Sequence, residues 1–138
     1  MTDIKTAAMG SALPRLRILV VDDSALVRLY YRDTLEKAGF DIEQAINGIE
    51  AMEKILAQPF DLLIVDVNMP RMDGFSFLRA LRRSASDAAT IPALVITTEA
   101  GQQDVEDARQ AGANFYLVKP VPRSDLLRHA AVLAGVTT

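Results

Sequence analysis

The sequence has no cysteine, which removes disulfides, thiolate catalysis and zinc-thiolate sites and suits a reducing compartment. It has no excess of positive charge. Fifteen Lys and Arg stand against 18 Asp and Glu, a net charge of -3 that offers no field for a polyanion, so nucleic acid is not an expected partner. No apolar run reaches membrane-spanning length, and residues 1–14, MTDIKTAAMGSALP, lack the continuous apolar core of a signal peptide. Internal repeats, low-complexity segments and interdomain linkers are also missing. The expectation is a cytoplasmic chain with no membrane partner, made of a loose tail over residues 1–14 and one domain over 15–138, long enough to bury most of a single core.

Four short, β-branched apolar bursts are present: RILVV at 17–21, LLIV at 62–65, ALVIT at 93–97 and FYLVK at 115–119. Continuous rather than alternating, they read as strands of a parallel sheet covered on both faces. FDIEQA at 40–45 alternates, as an edge strand with one wet face would. Helical stretches lie between. Val27, Tyr30, Tyr31, Thr34, Leu35 and Ala38 fall on one face of a helix that Gly39 stops. A second helix over about Ile49–Gln58 should turn Ile49, Met52, Ile55 and Leu56 inward and pair Glu50 with Lys54. Phe75, Phe77, Leu78 and Leu81 mark a third, whose Arg79, Arg82 and Arg83 read as a solvated face. A fourth runs from about Gln102 to Ala111, and a fifth from about Arg123 to Ala134. Strand and helix alternate five times, which gives a doubly wound α/β domain, a (βα)5 three-layer sandwich.

In such sheets ligands bind beyond the carboxyl ends of the strands. There the sequence places Asp22, Asp23 and Ser24, then Asp66 and Asn68, then Thr97, Thr98 and Glu99, and finally Lys119 and Pro120. Singly, each has an ordinary reading: Asp23 as a helix N-cap, the DG loop as a turn, the lysine as solvated. Together, three carboxylates crowded on one rim repel one another unless a cation holds them. All the ligands are oxygen, which suits Mg2+ held by Asp23 and Asp66 directly, Asp22 through water, and a backbone carbonyl just beyond Asp66. A carboxylate nucleophile, Mg2+, a lysine and a hydroxyl around one small anion equip a site for phosphoryl transfer.

These residues, with NMPRMDG following Asp66, resemble the receiver domain of two-component response regulators over about residues 16–135. The resemblance implies a flavodoxin-like, CheY-like sheet of strand order 2-1-3-4-5. It implies that Asp66 accepts a phosphoryl group from a histidine kinase or a histidine phosphotransfer protein, with Mg2+ on Asp22, Asp23, Asp66 and the Asn68 carbonyl. Lys119 would pair with Asp66 and then with the phosphate across a cis Lys119-Pro120 bond, and Thr97 and Tyr116 would form the switch. Asn68, Thr98 and Glu99 would tune the rates of transfer and hydrolysis, Thr98 standing where many receivers carry a smaller residue.

Leu26, Leu29 and nearby Tyr30 are expected to form part of the docking face for the phosphotransfer partner. His129, the single histidine, is given no catalytic role. The expected protein is a stand-alone receiver, a monomer or weak dimer that acts on a downstream protein, with weak self-dephosphorylation but no role as an enzyme. The alternatives are a phosphorelay intermediate, a receiver cut from a longer regulator, a docking module that takes no phosphate, and an aspartate-nucleophile phosphatase of the haloacid dehalogenase type. For the last, the second acid two residues beyond the nucleophile is missing, since Asn68 stands there.

Overall fold

A computed structural model describes residues 15–136; the tail expected over 1–14 lies outside the described residues. Five strands, β1 (Arg17–Val21), β2 (Asp41–Ala45), β3 (Leu62–Val65), β4 (Ala93–Thr97) and β5 (Phe115–Val118), alternate with five helices. These are α1 (Ala25–Lys37), α2 (Gly48–Ala57), α3 (Gly74–Arg82), α4 (Gln102–Ala111) and α5 (Arg123–Ala134), and a 3-10 turn at Asp87–Thr90 precedes β4. All pairings are parallel and the order is β2-β1-β3-β4-β5, the expected 2-1-3-4-5 arrangement.

The period of two along each strand divides the core. Ile18, Val20, Leu62, Ile64, Leu94 and Ile96 face α1 and α5, where Tyr31, Leu35, Leu126 and Ala130 cover them. Leu19, Val21, Leu63, Val65 and Val95 face the opposite layer, packed by Ala51, Ile55, Phe77, Leu78 and Leu81. This burial is the main stabilising term, at about 25 cal/mol per Å² of apolar surface.

Several expectations need correction. Strand β5 lies at the sheet's edge, so Phe115 and Val118 are exposed rather than covered on both faces. Strand β2, the other edge, is half-buried along Asp41–Gln44 instead of alternating. On α2 the inward positions are Gly48, Ala51 and Ile55, while Ile49 and Leu56 face outward, Leu56 with 72% of its surface exposed. That helix begins one residue earlier than expected because Asn47 caps it, accepting from the Glu50 N–H at 2.9 Å. Glu50 and Lys54 do not pair: Glu50 accepts from the Ile46 N–H at 2.7 Å, and the Lys54 ammonium donates to the Gln44 carbonyl. Ala38, placed on the buried face of α1, is the exposed C-cap of that helix.

Arg82 is not part of a solvated face. Its guanidinium donates to the carbonyls of Ala89 at 2.9 Å and Ile91 at 2.6 Å, and to the Gly112 carbonyl at 2.8 and 3.1 Å. One side chain thus joins the end of α3, the turn before β4 and the C-cap of α4, and desolvation lowers its pKa. Arg82→Met should leave these carbonyls without their donor and cost about 2–3 kcal/mol, read as a lower urea midpoint at unchanged slope.

Candidate functional site

The register of the sheet builds the site. Val21 pairs with Val65, so the next residues, Asp22 and Asp66, leave adjacent strands at the same level. The Asp66 N–H donates to the Val21 carbonyl at 2.9 Å, and the Asp22 N–H to the Ala45 carbonyl at 3.1 Å. On the far side Thr97 pairs with Val118, and the Lys119 N–H donates to the Thr97 carbonyl at 2.8 Å. The bond between Lys119 and Pro120 is cis. The lysine side chain then crosses two strands, its Nζ lying 3.1 Å from Asp22 Oδ2 and 3.4 Å from Asp66 Oδ1.

Asp22 and Asp66 are buried and Asp23 is exposed. Among the described residues, one carboxylate oxygen from each lies within 4.8 Å of the others. Burial first, and then the neighbouring Asp22 charge, push the Asp66 carboxyl up to about 6 against the opposing pull of Lys119. One ammonium therefore does not neutralise the cluster, and the all-oxygen donor set fits a hard divalent cation. The cap of α1 is Ser24, whose hydroxyl accepts from the Val27 N–H at 3.3 Å, which frees Asp23 from the capping role considered for it.

Thr97 is fully buried and its hydroxyl faces the Glu99 N–H at 3.4 Å. The half-buried Tyr116 donates its hydroxyl to the Glu99 carbonyl, so both residues engage the backbone of one loop residue. Burial raises the Tyr116 phenol's pKa. Asn68, Thr98 and Glu99 are exposed on the loops around the cluster. Leu26 and Leu29 are 79% and 60% exposed on α1, and Leu26 lines a groove of about 300 Å³ that runs between it, Tyr30 and the Lys119–Val121 loop. Tyr30 is half-buried, its hydroxyl turned onto the Val121 carbonyl at 2.8 Å. His129 lies apart from the cluster's loops, on α5, stacked on Phe115 with ring centroids 4.8 Å apart.

Other contributors were not read from the sequence. Arg28 donates to the Asp22 carbonyl at 2.7 Å and to Gln44 at 3.0 Å, fixing the acidic loop from behind. Tyr31 is buried beneath the site, and that burial, with the charges of Asp22 and Asp66, pushes its phenol's pKa up. A Cβ at Gly74 would overlap the Asp66 carbonyl oxygen and meet Val65 Cγ1 at 3.0 Å, so only glycine allows α3 to start so close to Asp66. The Asp73-Gly74 pair was the available signal, but it read as a turn. Arg71 takes φ 72°, a left-handed conformation uncommon for a residue with a side chain.

This fold, with acids, a hydroxyl and an ammonium on its carboxyl rim, is that of the flavodoxin-like, CheY-like class. The model of the response regulator receiver domain matches residues 18–131, and the chain belongs to that family. It is 39% identical over 122 residues to the chemotaxis protein CheY1 of Helicobacter pylori, covering 87% of this chain and 98% of that protein. It is 37% identical over 122 residues to the sensor protein EvgS of Escherichia coli K12, covering 88% of this chain but spanning only 10% of EvgS. Among solved structures, it is similar to the receiver domain of the sensor histidine kinase PA1611 from Pseudomonas aeruginosa PAO1, which has a magnesium ion in its active-site cleft. The TM-score there is 0.81 at 30% identity, over 88% of this chain and 99% of that one. Among the described residues, no helix is long and apolar enough to cross a membrane.

The raised Asp66 pKa has a consequence for stability. The folded state holds that proton more tightly than the unfolded chain, so this contribution is complete below about pH 4 and is lost as pH rises through about 6. At neutral pH without divalent cations, Asp66→Asn should melt higher than wild type, by on the order of 4 °C for each kcal/mol recovered. Its stability should also fall less between pH 4 and pH 6. Calorimetry across that range checks this, and millimolar Mg2+ should narrow the gap by stabilising the wild type.

Proposed function

We propose that this receiver domain is a phosphoacceptor that works through Asp66. The observation that carries the reading is the placement of Lys119 Nζ against both Asp22 and Asp66, beside three carboxylates gathered within 4.8 Å. An Asp66 carboxylate oxygen attacks the phosphorus of a phosphohistidine on a histidine kinase or a histidine phosphotransfer protein. The P–N bond breaks, the electron pair stays on the imidazole nitrogen, and that nitrogen takes a proton from solvent. Asp22, Asp23, Asp66 and the Asn68 carbonyl would hold Mg2+, which would neutralise charge that gathers around the transferring group.

This chain's residues supply the rest. Lys119 exchanges its contact with the free Asp66 carboxylate for a phosphoryl oxygen. The Thr97 hydroxyl turns to donate to another, which withdraws it from the Glu99 N–H and so alters the loop that Tyr116 also grips. The added dianion thereby favours one arrangement of the surface built by α4, β5 and α5, where a downstream protein binds. Asn68, Thr98 and Glu99 border the path of the water that slowly removes the phosphoryl group. The exposed Leu26 and Leu29, the former lining the groove that leads to Lys119, form the docking face for the phosphohistidine partner.

A second reading, an intermediate that returns the phosphoryl group to another histidine, is favoured by the likeness to receivers that are parts of sensor proteins. Reverse transfer to a phosphotransfer protein separates it from a terminal messenger.

Intact mass followed over time, with Mg2+ and a small acyl phosphate, should show a single phosphoryl addition that disappears in Asp66→Asn and on chelation of the metal. An addition that persists in Asp66→Asn would overturn the assignment. Replacing Leu26 and Leu29 by aspartate should slow transfer from a phosphohistidine protein by about tenfold or more while leaving the small donor within about twofold. Equal slowing of both donors would remove the docking role.

A further inference from the structure

We infer that Tyr30 is a positioning residue for Lys119, acting through the loop between β5 and α5; this rests on the phosphoacceptor reading above. The loop runs Lys119-Pro120-Val121-Pro122. Its two prolines carry no N–H, so half of its backbone donors are missing. At the entrance the Lys119 N–H donates to the Thr97 carbonyl at 2.8 Å, and at the exit the Pro122 carbonyl accepts from the Leu126 N–H at 3.0 Å. Between these ties the Val121 carbonyl accepts from the Tyr30 hydroxyl at 2.8 Å, across 91 residues of sequence. A side chain of α1, rather than sheet or helix backbone, thus fixes the middle of the loop.

The ring that carries this hydroxyl is itself held. Arg123 lies over it with Cζ 4.6 Å from the ring centroid. That guanidinium is anchored on Asp33 at 3.1 Å and on the Thr34 hydroxyl, one turn further along α1. Val121 is buried and stands two residues from Lys119, whose ammonium must reach Asp22 and Asp66 together. Displacing the loop by a fraction of an ångström would move the ammonium relative to the phosphoryl oxygens, and misplacement on this scale costs rate. The acids themselves sit on the loops after β1 and β3, so the Tyr30 tie does not hold the backbone that carries them.

Tyr30→Phe keeps the ring and its contact with Arg123 and deletes only the hydroxyl. Phosphorylation of Asp66 by a small acyl phosphate at fixed Mg2+, normalised to the folded fraction, should fall about three- to tenfold. Affinity for Mg2+ without donor should stay within about twofold of wild type. In the slower Lys119→Ala background, followed over correspondingly longer times, Tyr30→Phe should have no further effect, because the group being positioned is gone. Arg123→Met, which removes the support of the ring, should produce a smaller fall of the same kind. An unchanged rate in Tyr30→Phe would overturn the inference. So would an undiminished loss in the Lys119→Ala background, which would mark a structural role independent of the ammonium. If the wild type takes no phosphoryl group from either a small or a histidine donor, the phosphoacceptor reading fails and carries this one with it, an outcome visible before any variant is made.

Discussion

The Lys119 ammonium between Asp22 and Asp66 is the interaction on which the rest of this rim depends. Two buried carboxylates on adjacent strand ends would repel each other at close range. A cation delivered from the far edge of the sheet lowers that repulsion but leaves Asp66 with its pKa raised. The carboxylate charge is thus only partly balanced within the chain, and its all-oxygen donor set fits a hard divalent cation. Charge of this kind is costly to bury unless it is paired, which is why the surrounding structure is devoted to holding the pairing in place.

The holding is done by backbone register and a small number of side chains. In-register pairing of β1 with β3 sets Asp22 and Asp66 side by side, and the pairing of β5 with β4 launches Lys119 toward them. Gly74 lets α3 begin against the Asp66 carbonyl, Arg28 grips the carbonyl of Asp22, and Tyr30 grips that of Val121. The alternation of side chains also separates two tasks. Tyr116 packs with the layer on the α2 and α3 side, whereas Leu117 belongs with α1 and α5. Thr97 and Tyr116 meet at the backbone of Glu99, so a change at the rim has a short route to the edge strand.

Much of this was legible in the residues. The bounds of β1, β3, β4, α4 and α5 follow from apolar runs and from Gly112 and Gly135, which take left-handed conformations where the fourth and fifth helices end. The rim residues were legible because each stands at, or within three positions of, the carboxyl end of a strand. The errors came where local pattern competed with position in the sheet. FYLVK has the composition of a central strand, yet nothing in it records that β5 would lie at the edge. Ile49 and Leu56 are as apolar as Ile55, and only the docking of α2 decided that Ala51, being small, would face the sheet. Arg82 shares a helix face with Arg79, but it alone reaches the Gly112 carbonyl, because the C-cap of α4 happens to lie there.

By itself, the sequence determined the alternation of strands and helices and the identity of the polar residues at the strand ends. Those properties are encoded in periods of two and about 3.6 residues and in turn-forming residues, all of which act within a few positions along the chain. Tertiary structure alone decided that Lys119 would bridge two acids, that Tyr30 would hold the loop at Val121 and that Arg82 would join three segments. These contacts span 91 residues in one case and 30 in another. Their geometry depends on sheet register and helix docking, which are set by the whole core at once and by no local stretch within it.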